Sequence, residues 1–448
     1  MPQFIGRHTI FHGFGRGPNE TPPGLAPFTW WGSDKFRLPS GTREANVRLQ
    51  AEDGAHSSGI LYTRGGESTV VVFNHPRADF SSHYLTPFLL EAGYAVFGGQ
   101  TRYLGNDVNC EHECLSADLA AQVRYLRAEG LDNVVFCGNS GGGPLSAFYM
   151  AQANAPVGER LTRTAAGNPY DLNELGLPPV DGFINLAGAL SEGALALANL
   201  DPSVIDENDP LSCDPELDMF NPANGYRRPP EVSSYTPAFL ERYRAAQVAR
   251  CRRIDARALQ EVARKRKYRA AMAEPGFAAL PLEEQNEITR QAVACHTLTI
   301  YRTMADPALT DLSIEPNDRS ILGLMQPDPQ VANWSIPGFV QMMTAEGWLS
   351  TWSGLATQVD MHKDATMITQ PLLSITFSAD VTILPFVGRG LVENAASADK
   401  TYVEIAGDHF GFRDRADDPG GREGGIIDAA RAIIAWLAPR FAAAETRP

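Results

Sequence analysis

Val134-Val135-Phe136-Cys137-Gly138-Asn139-Ser140-Gly141-Gly142-Gly143 is the stretch whose reading decides the fold. A short continuous apolar run ends in a Gly-x-Ser-x-Gly string, and the residues after it, GGPLSAFYMAQA, read as a helix. A serine between a buried strand and a helix stands on a sharp, strained turn, where side chains at Gly138 and Gly142 would collide with the flanking elements. The string alone is weak, and its strand and helix flanks give it weight. A serine hydroxyl is a poor nucleophile at neutral pH and needs a base, normally a histidine held by a carboxylate.

Outward from this stretch, strands and helices take turns. From Asn46, NVRLQAE alternates, GILYT follows, and STVVVFNHP is a β-branched run stopped by Asn and Pro, which predicts three strands by residue 74. SHYLTPFLLEAG then reads as helix, YAVFGG as strand, CLSADLAAQVRYLRAEG as helix and, beyond the serine, GFINLAGAL as strand. Continuous apolar strands separated by amphipathic helices predict an α/β fold, a mostly parallel central sheet flanked by helices on both faces. Residues 190–369 carry almost no strand signal; Thr236 and Pro237 suit the start of a helix reaching about Ala273, and a second is predicted from about Leu282 to Thr303. The alternation resumes with PLLSITFS, PFVGRGLVENAAS, KTYVEIAG and a last helix through GIIDAARAIIAWLAPRF. The chain is therefore expected to divide into an irregular arm over 1–44, a core over 45–189, a large, mainly helical cap over 190–369, and the core again over 370–448. In the arm, Gly13, Gly15 and Gly17 follow no strand and open no helix, which argues against a nucleotide loop.

Among nine histidines, His409 lies just past the last predicted strand, where a loop at the carboxyl edge of the sheet would present it as the base. The carboxylate should follow the preceding strand, and Asp380 stands there; Asp399, Glu404 and Asp408 are its rivals.

The order Ser140, Asp380, His409 resembles that of the α/β-hydrolase family, over residues 46–190 and 370–440, with the arm and most of the cap outside the resemblance. The resemblance implies an α/β-hydrolase fold and a first oxyanion-hole amide on Gly141. It places the second amide on the loop after the third strand, usually beginning His-Gly, where this chain has Asn74-His75-Pro76-Arg77. Pro76 has no N–H, so the amide of Arg77 is the expected donor. His75 is expected to shape this loop beside the substrate, with a second base as its rival role. Thr101 to Asn106 is similar to the family's Arg-Gly-x-Gly loop, although Tyr103 stands where a glycine is usual.

Cys110-Glu111-His112-Glu113-Cys114 packs thiols, carboxylates and an imidazole into five residues, but a closed zinc site needs four convergent ligands and no second pair follows. No metal and no cofactor are expected. His112 or Glu111 is placed at the substrate entrance, and Trp348 and Trp352, in a stretch with Met342, Met343 and Met361, as the roof of an apolar pocket.

The 448 residues carry 53 acidic and 38 basic side chains, and a net charge of −15 disfavours nucleic acid as a partner. Between Glu241 and Arg269 the balance reverses, 11 basic against 3 acidic, expected of a helix face that pairs with acids of the cap or of a second subunit. A homo-oligomer would form through that cap. No uninterrupted apolar window of about 18 residues or leader pattern occurs, and six scattered cysteines suit reduced thiols, so a cytoplasmic protein without membrane contact is expected. The leading expectation is a serine hydrolase for a small apolar ester or lactone. A C–C bond hydrolase acting beside a ketone, a peptidase and a non-catalytic receptor on the same scaffold are the alternatives.

Overall fold

Val70, Val72, Val134 and Phe136 face one side of the central sheet while Val71, Phe73, Val135 and Cys137 face the other, and all eight are buried. This two-sided burial is why the strands read as unbroken apolar runs. In the computed structural model, which describes residues 37–321, 328–334, 340–413 and 421–444, the strands are β1 (Arg43–Gln50), β2 (His56–Thr63), β3 (Thr69–Asn74), β4 (Ala95–Gln100), β5 (Asn133–Asn139), β6 (Gly182–Leu186), β7 (Leu298–Thr299), β8 (Met342–Met343), β9 (Leu372–Phe377) and β10 (Lys400–Ile405). Eight of them form one sheet in the order β1-β2-β4-β3-β5-β6-β9-β10, in which β2 alone runs against the rest. The arm, as far as residue 36, lies outside the described residues.

Helices α1 (Thr86–Glu91), α2 (His112–Ala128) and α3 (Gly142–Asn154) cover the first half of the sheet. Leu115, Leu119 and Val123 of α2 and Leu145 and Phe148 of α3 pack on one face, and Leu89 and Leu90 of α1 on the other. The chain crosses from β4 over β3 to β5, so the order reverses between β3 and β5, and a crevice opens there at the carboxyl edge. Asn74 is level with Gly138 in the register, which sets the loop after β3 beside the loop after β5.

Between β6 and β9 lie α4 (Glu192–Asn199), α5 (Pro237–Ala273) and α6 (Leu282–Val293). Thr236 caps α5 by accepting the Phe239 N–H at 3.2 Å, and Pro237 opens it. Cys251, Ile254, Ala258 and Val262, at helical spacing along α5, pack against Trp348, Leu349 and Trp352 to give the insertion its own core. The basic surplus of α5 is met in part within the insertion: Arg244 pairs with Asp306 at 2.7 Å, Arg250 and Arg253 with Glu207 at 2.8 Å, and Lys265 with Glu346 at 3.0 Å. The helix expected to reach Thr303 stops at Val293, because Leu298 and Thr299, in a β-branched stretch, pair with Met342 and Met343 as the short β7–β8 ladder. After β9, helices α7 (Phe386–Asn394) and α8 (Gly424–Leu437) complete the cover of the sheet.

Candidate active site

Ser140 sits between β5 and α3 with φ of 55°, in the left-handed region that an L-residue adopts at a cost of about 1–3 kcal/mol. Its surroundings hold it there: its N–H donates to Leu186 O at 3.2 Å, and its carbonyl accepts from Gly143 N at 3.0 Å and Ala189 N at 3.1 Å. A Cβ on Gly138 would lie 2.7 Å from the Gly143 Cα, and one on Gly142 would run into the Asn74 carbonyl oxygen. These two positions therefore exclude any side chain.

Asp380 lies three residues beyond β9 and His409 four beyond β10, and the pairings Leu186 with Ile375 and Phe377 with Ile405 bring both to the edge that carries Ser140. His409 Nε2 is 3.0 Å from Ser140 Oγ, and His409 Nδ1 is 2.7 Å from Asp380 Oδ2. Asp380 is fully buried, and its other oxygen accepts the N–H groups of Thr382 and Ile383 at 2.8 Å each. The rival carboxylates are engaged elsewhere. Asp408 accepts the amides of Phe410 and Phe412, Asp399 pairs with Arg440, and Glu404 with Arg389 and the Tyr402 hydroxyl.

Burial alone would lower the pKa of His409, but the charge and hydrogen bond of Asp380, aided by Asp408, carry it above the usual 6.5. Only the neutral ring accepts a proton from Ser140, so activity should fall with decreasing pH through a midpoint above 6.5. A kcat/KM profile of the free enzyme checks this, and an acid limb at or below 6.5 contradicts it.

Gly141 precedes α3, whose first amides have no helix carbonyl to bond. A Cβ on Gly141 would come 2.8 Å from His75 Nε2 and would strike Glu192 Oε1, so this glycine separates those two groups. The expected use of the Arg77 amide needs correction: that N–H donates to His75 Nδ1 at 3.2 Å, and the Ala78 N–H donates to the same nitrogen at 2.9 Å. The loop after β3 thus folds back on its own histidine. The Arg77 guanidinium is buried, paired with Glu192 at the start of α4 and with Asp107 after β4, and lies 4.4 Å from the centre of the Trp352 ring. Sequence reasoning missed Glu192 and Asp107; a carboxylate opening the first helix of the insertion was the available signal for the former.

An apolar cleft of about 140 Å³ opens between α4 and the segment after Asp380, walled by Ala189, Leu190, Leu195, Ala198, Val381 and Ile383. Ala189 is the residue whose amide holds the Ser140 carbonyl. The two tryptophans do not line it, which corrects their placement as a roof. Trp348 is buried in the core of the insertion with its indole N–H on Asp255 at 2.7 Å, and Trp352 is buried in the same core with one face under Arg77. His112, likewise absent from the cleft, is buried at the start of α2 with its main-chain N–H on Ser350 Oγ at 2.9 Å. Burial, then the charge of Arg77, pushes its pKa down to about 3. Glu113 is spent on the Ala165 amide and the Ser350 hydroxyl, and no group of three or more potential metal ligands occurs among the described residues. No helix among those residues is long and apolar enough to cross a membrane.

The sheet order, the single reversed strand, and the serine turn after β5 together make this an α/β-hydrolase fold. No family model and no curated protein matches the chain. Among solved structures it is similar to DcsB in complex with its substrate analogue, at 13% identity and a TM-score of 0.46, over 89% of this chain and 100% of that one. It is also similar to the α/β hydrolase GrgF from Penicillium sp. sh18, at 11% and 0.47 over 89% and 99%, and to a monoacylglycerol lipase from Paleococcus ferrophilus, at 14% and 0.37 over 89% and 99%. At these values the chemistry rests on the side chains of this chain alone.

Proposed function

We propose that the protein is a serine hydrolase that cleaves carboxylic esters or lactones of mainly apolar small molecules. Ser140 Oγ attacks the carbonyl carbon while His409 Nε2 takes its proton, and Asp380 stabilises the imidazolium that forms. His409 then returns the proton to the leaving alkoxide, and water, activated by the same histidine, releases the acid from the acyl-enzyme. The Gly141 amide donates to the oxyanion. One observation carries this reading: the unbroken hydrogen-bonded chain Ser140–His409–Asp380, at 3.0 and 2.7 Å, beside an apolar cleft.

The test is turnover of p-nitrophenyl esters of graded acyl length, alongside a series of β-diketones read by product mass. Ester turnover with inert diketones supports the proposal, diketone cleavage with inert esters overturns it in favour of C–C hydrolysis, and tight binding with no turnover overturns it in favour of a receptor. Within the ester series, Ala198→Trp should fill the cleft and lower kcat/KM for the longer acyl groups by roughly tenfold or more relative to acetate. A uniform loss across the series would remove the cleft from the substrate's path.

A further inference from the structure

We propose that the side chain of His75 is the second oxyanion donor, through Nε2–H, in the role that a backbone amide of this loop was expected to fill. The inference rests on the serine-hydrolase reading and adds a catalytic residue to it. His75 Nδ1 accepts two backbone N–H groups, from Arg77 at 3.2 Å and Ala78 at 2.9 Å, so that nitrogen carries no hydrogen. A neutral imidazole has one N–H, which must then be on Nε2. Doubly protonating the ring would set an Nδ1 hydrogen against both amides. Burial, followed by the nearby charge of Arg77, favours the neutral form further.

The donor thus defined points toward the nucleophile's neighbour. Nε2 stands 2.8 Å from the place a Gly141 side chain would take, and no acceptor among the described residues takes its hydrogen. On this proposal that donor and the Gly141 amide flank the oxyanion that forms on the carbon bonded to Ser140 Oγ. Glu192 Oε1 lies against the same glycine without pairing with His75, and its other oxygen pairs with the Arg77 guanidinium. The fixed tautomer also removes the rival role: a nitrogen that holds its hydrogen while its partner accepts two amides is not a general base.

Two variants separate the donor from the loop support. In His75→Asn the amide oxygen takes over the bonds from Arg77 and Ala78 but nothing replaces Nε2–H, whereas in His75→Gln the side-chain NH2 reaches the Nε2 position. His75→Asn should lower kcat for p-nitrophenyl butyrate by about 10²–10³ with KM and melting temperature little changed. It should weaken an aryl trifluoromethyl ketone, whose adduct carries an oxyanion, by the same factor, while leaving an unreactive apolar alcohol bound as before. His75→Gln should recover much of the loss. A His75→Asn enzyme as active as the parent overturns the proposal, as does a loss that falls equally on the ketone and the alcohol. If His75→Asn does not fold, His75→Gln decides alone, activity supporting the donor and inactivity overturning it. A parent enzyme inert to every ester would instead sink the hydrolase reading, a distinct outcome from an active parent indifferent to His75.

Discussion

Ser140→Ala is expected to remove both turnover and covalent labelling by a fluorophosphonate, with kcat lower by about 10⁶. The size follows from the chemistry. Without the hydroxyl no acyl-enzyme forms, and what remains is the modest effect of binding and of donors aimed at an attacking water. Alanine accommodates the turn no better than serine at φ of 55°, so the fold should survive with the same strain. Mass spectrometry of the labelled parent should find one adduct, on Ser140. Labelling that persists in the variant, or that maps to another serine, would displace the nucleophile from the turn after β5.

Asp380→Asn should lower kcat by about 10⁴ while the protein stays folded. An asparagine oxygen still accepts the Thr382 and Ile383 amides that Asp380 Oδ1 now accepts at 2.8 Å, so the loop keeps its bonds. The change falls on the other atom. An NH2 group would face His409 Nδ1, favour the wrong tautomer and leave the imidazolium without its counter-charge. Because Asp380 is also what lifts the His409 pKa against burial, the acid limb of the residual activity should move to lower pH. Near-normal turnover in Asp380→Asn together with a dead Asp408→Asn would show that the wrong carboxylate had been chosen.

The sheet and the neighbours of Ser140 were legible because each depended on a local pattern with a fixed place in the topology. Apolar runs marked the central strands, two glycines marked the turn, and the chain order set Asp380 and His409 on the loops after β9 and β10. Groups whose meaning depends on packing were not legible. Trp348 and Trp352 have the size and polarity of pocket residues and also of core residues, and only the register of α5 against them makes them core. The cleft instead uses Ala189, Ala198 and Val381, which carry no signal of their own. The Arg77 amide was the reasonable donor once Pro76 was read, but the fold-back of the loop that turns that amide onto His75 Nδ1 is not marked by the residue types. The helix limit at Val293 was missed because Leu298 and Thr299, soon after it, pair with a strand more than forty positions away.

The insertion also separates the making of the nucleophile from the making of its partners. As the chain leaves the ribosome, Ser140 appears on its turn with β1 to β6, whereas Asp380 and His409 belong to the final two strands of the sheet. Until β9 is synthesised, β6 is the sheet's free border, with backbone groups that Leu372 to Ile375 will later pair still open to other chains. The helices between them have their own apolar core, which lets that long segment collapse as a unit instead of trailing as a loose loop. On the proposed mechanism the unfinished chain would be catalytically silent while its sheet border is open, and Ser140 would acquire its base only when that border has been closed.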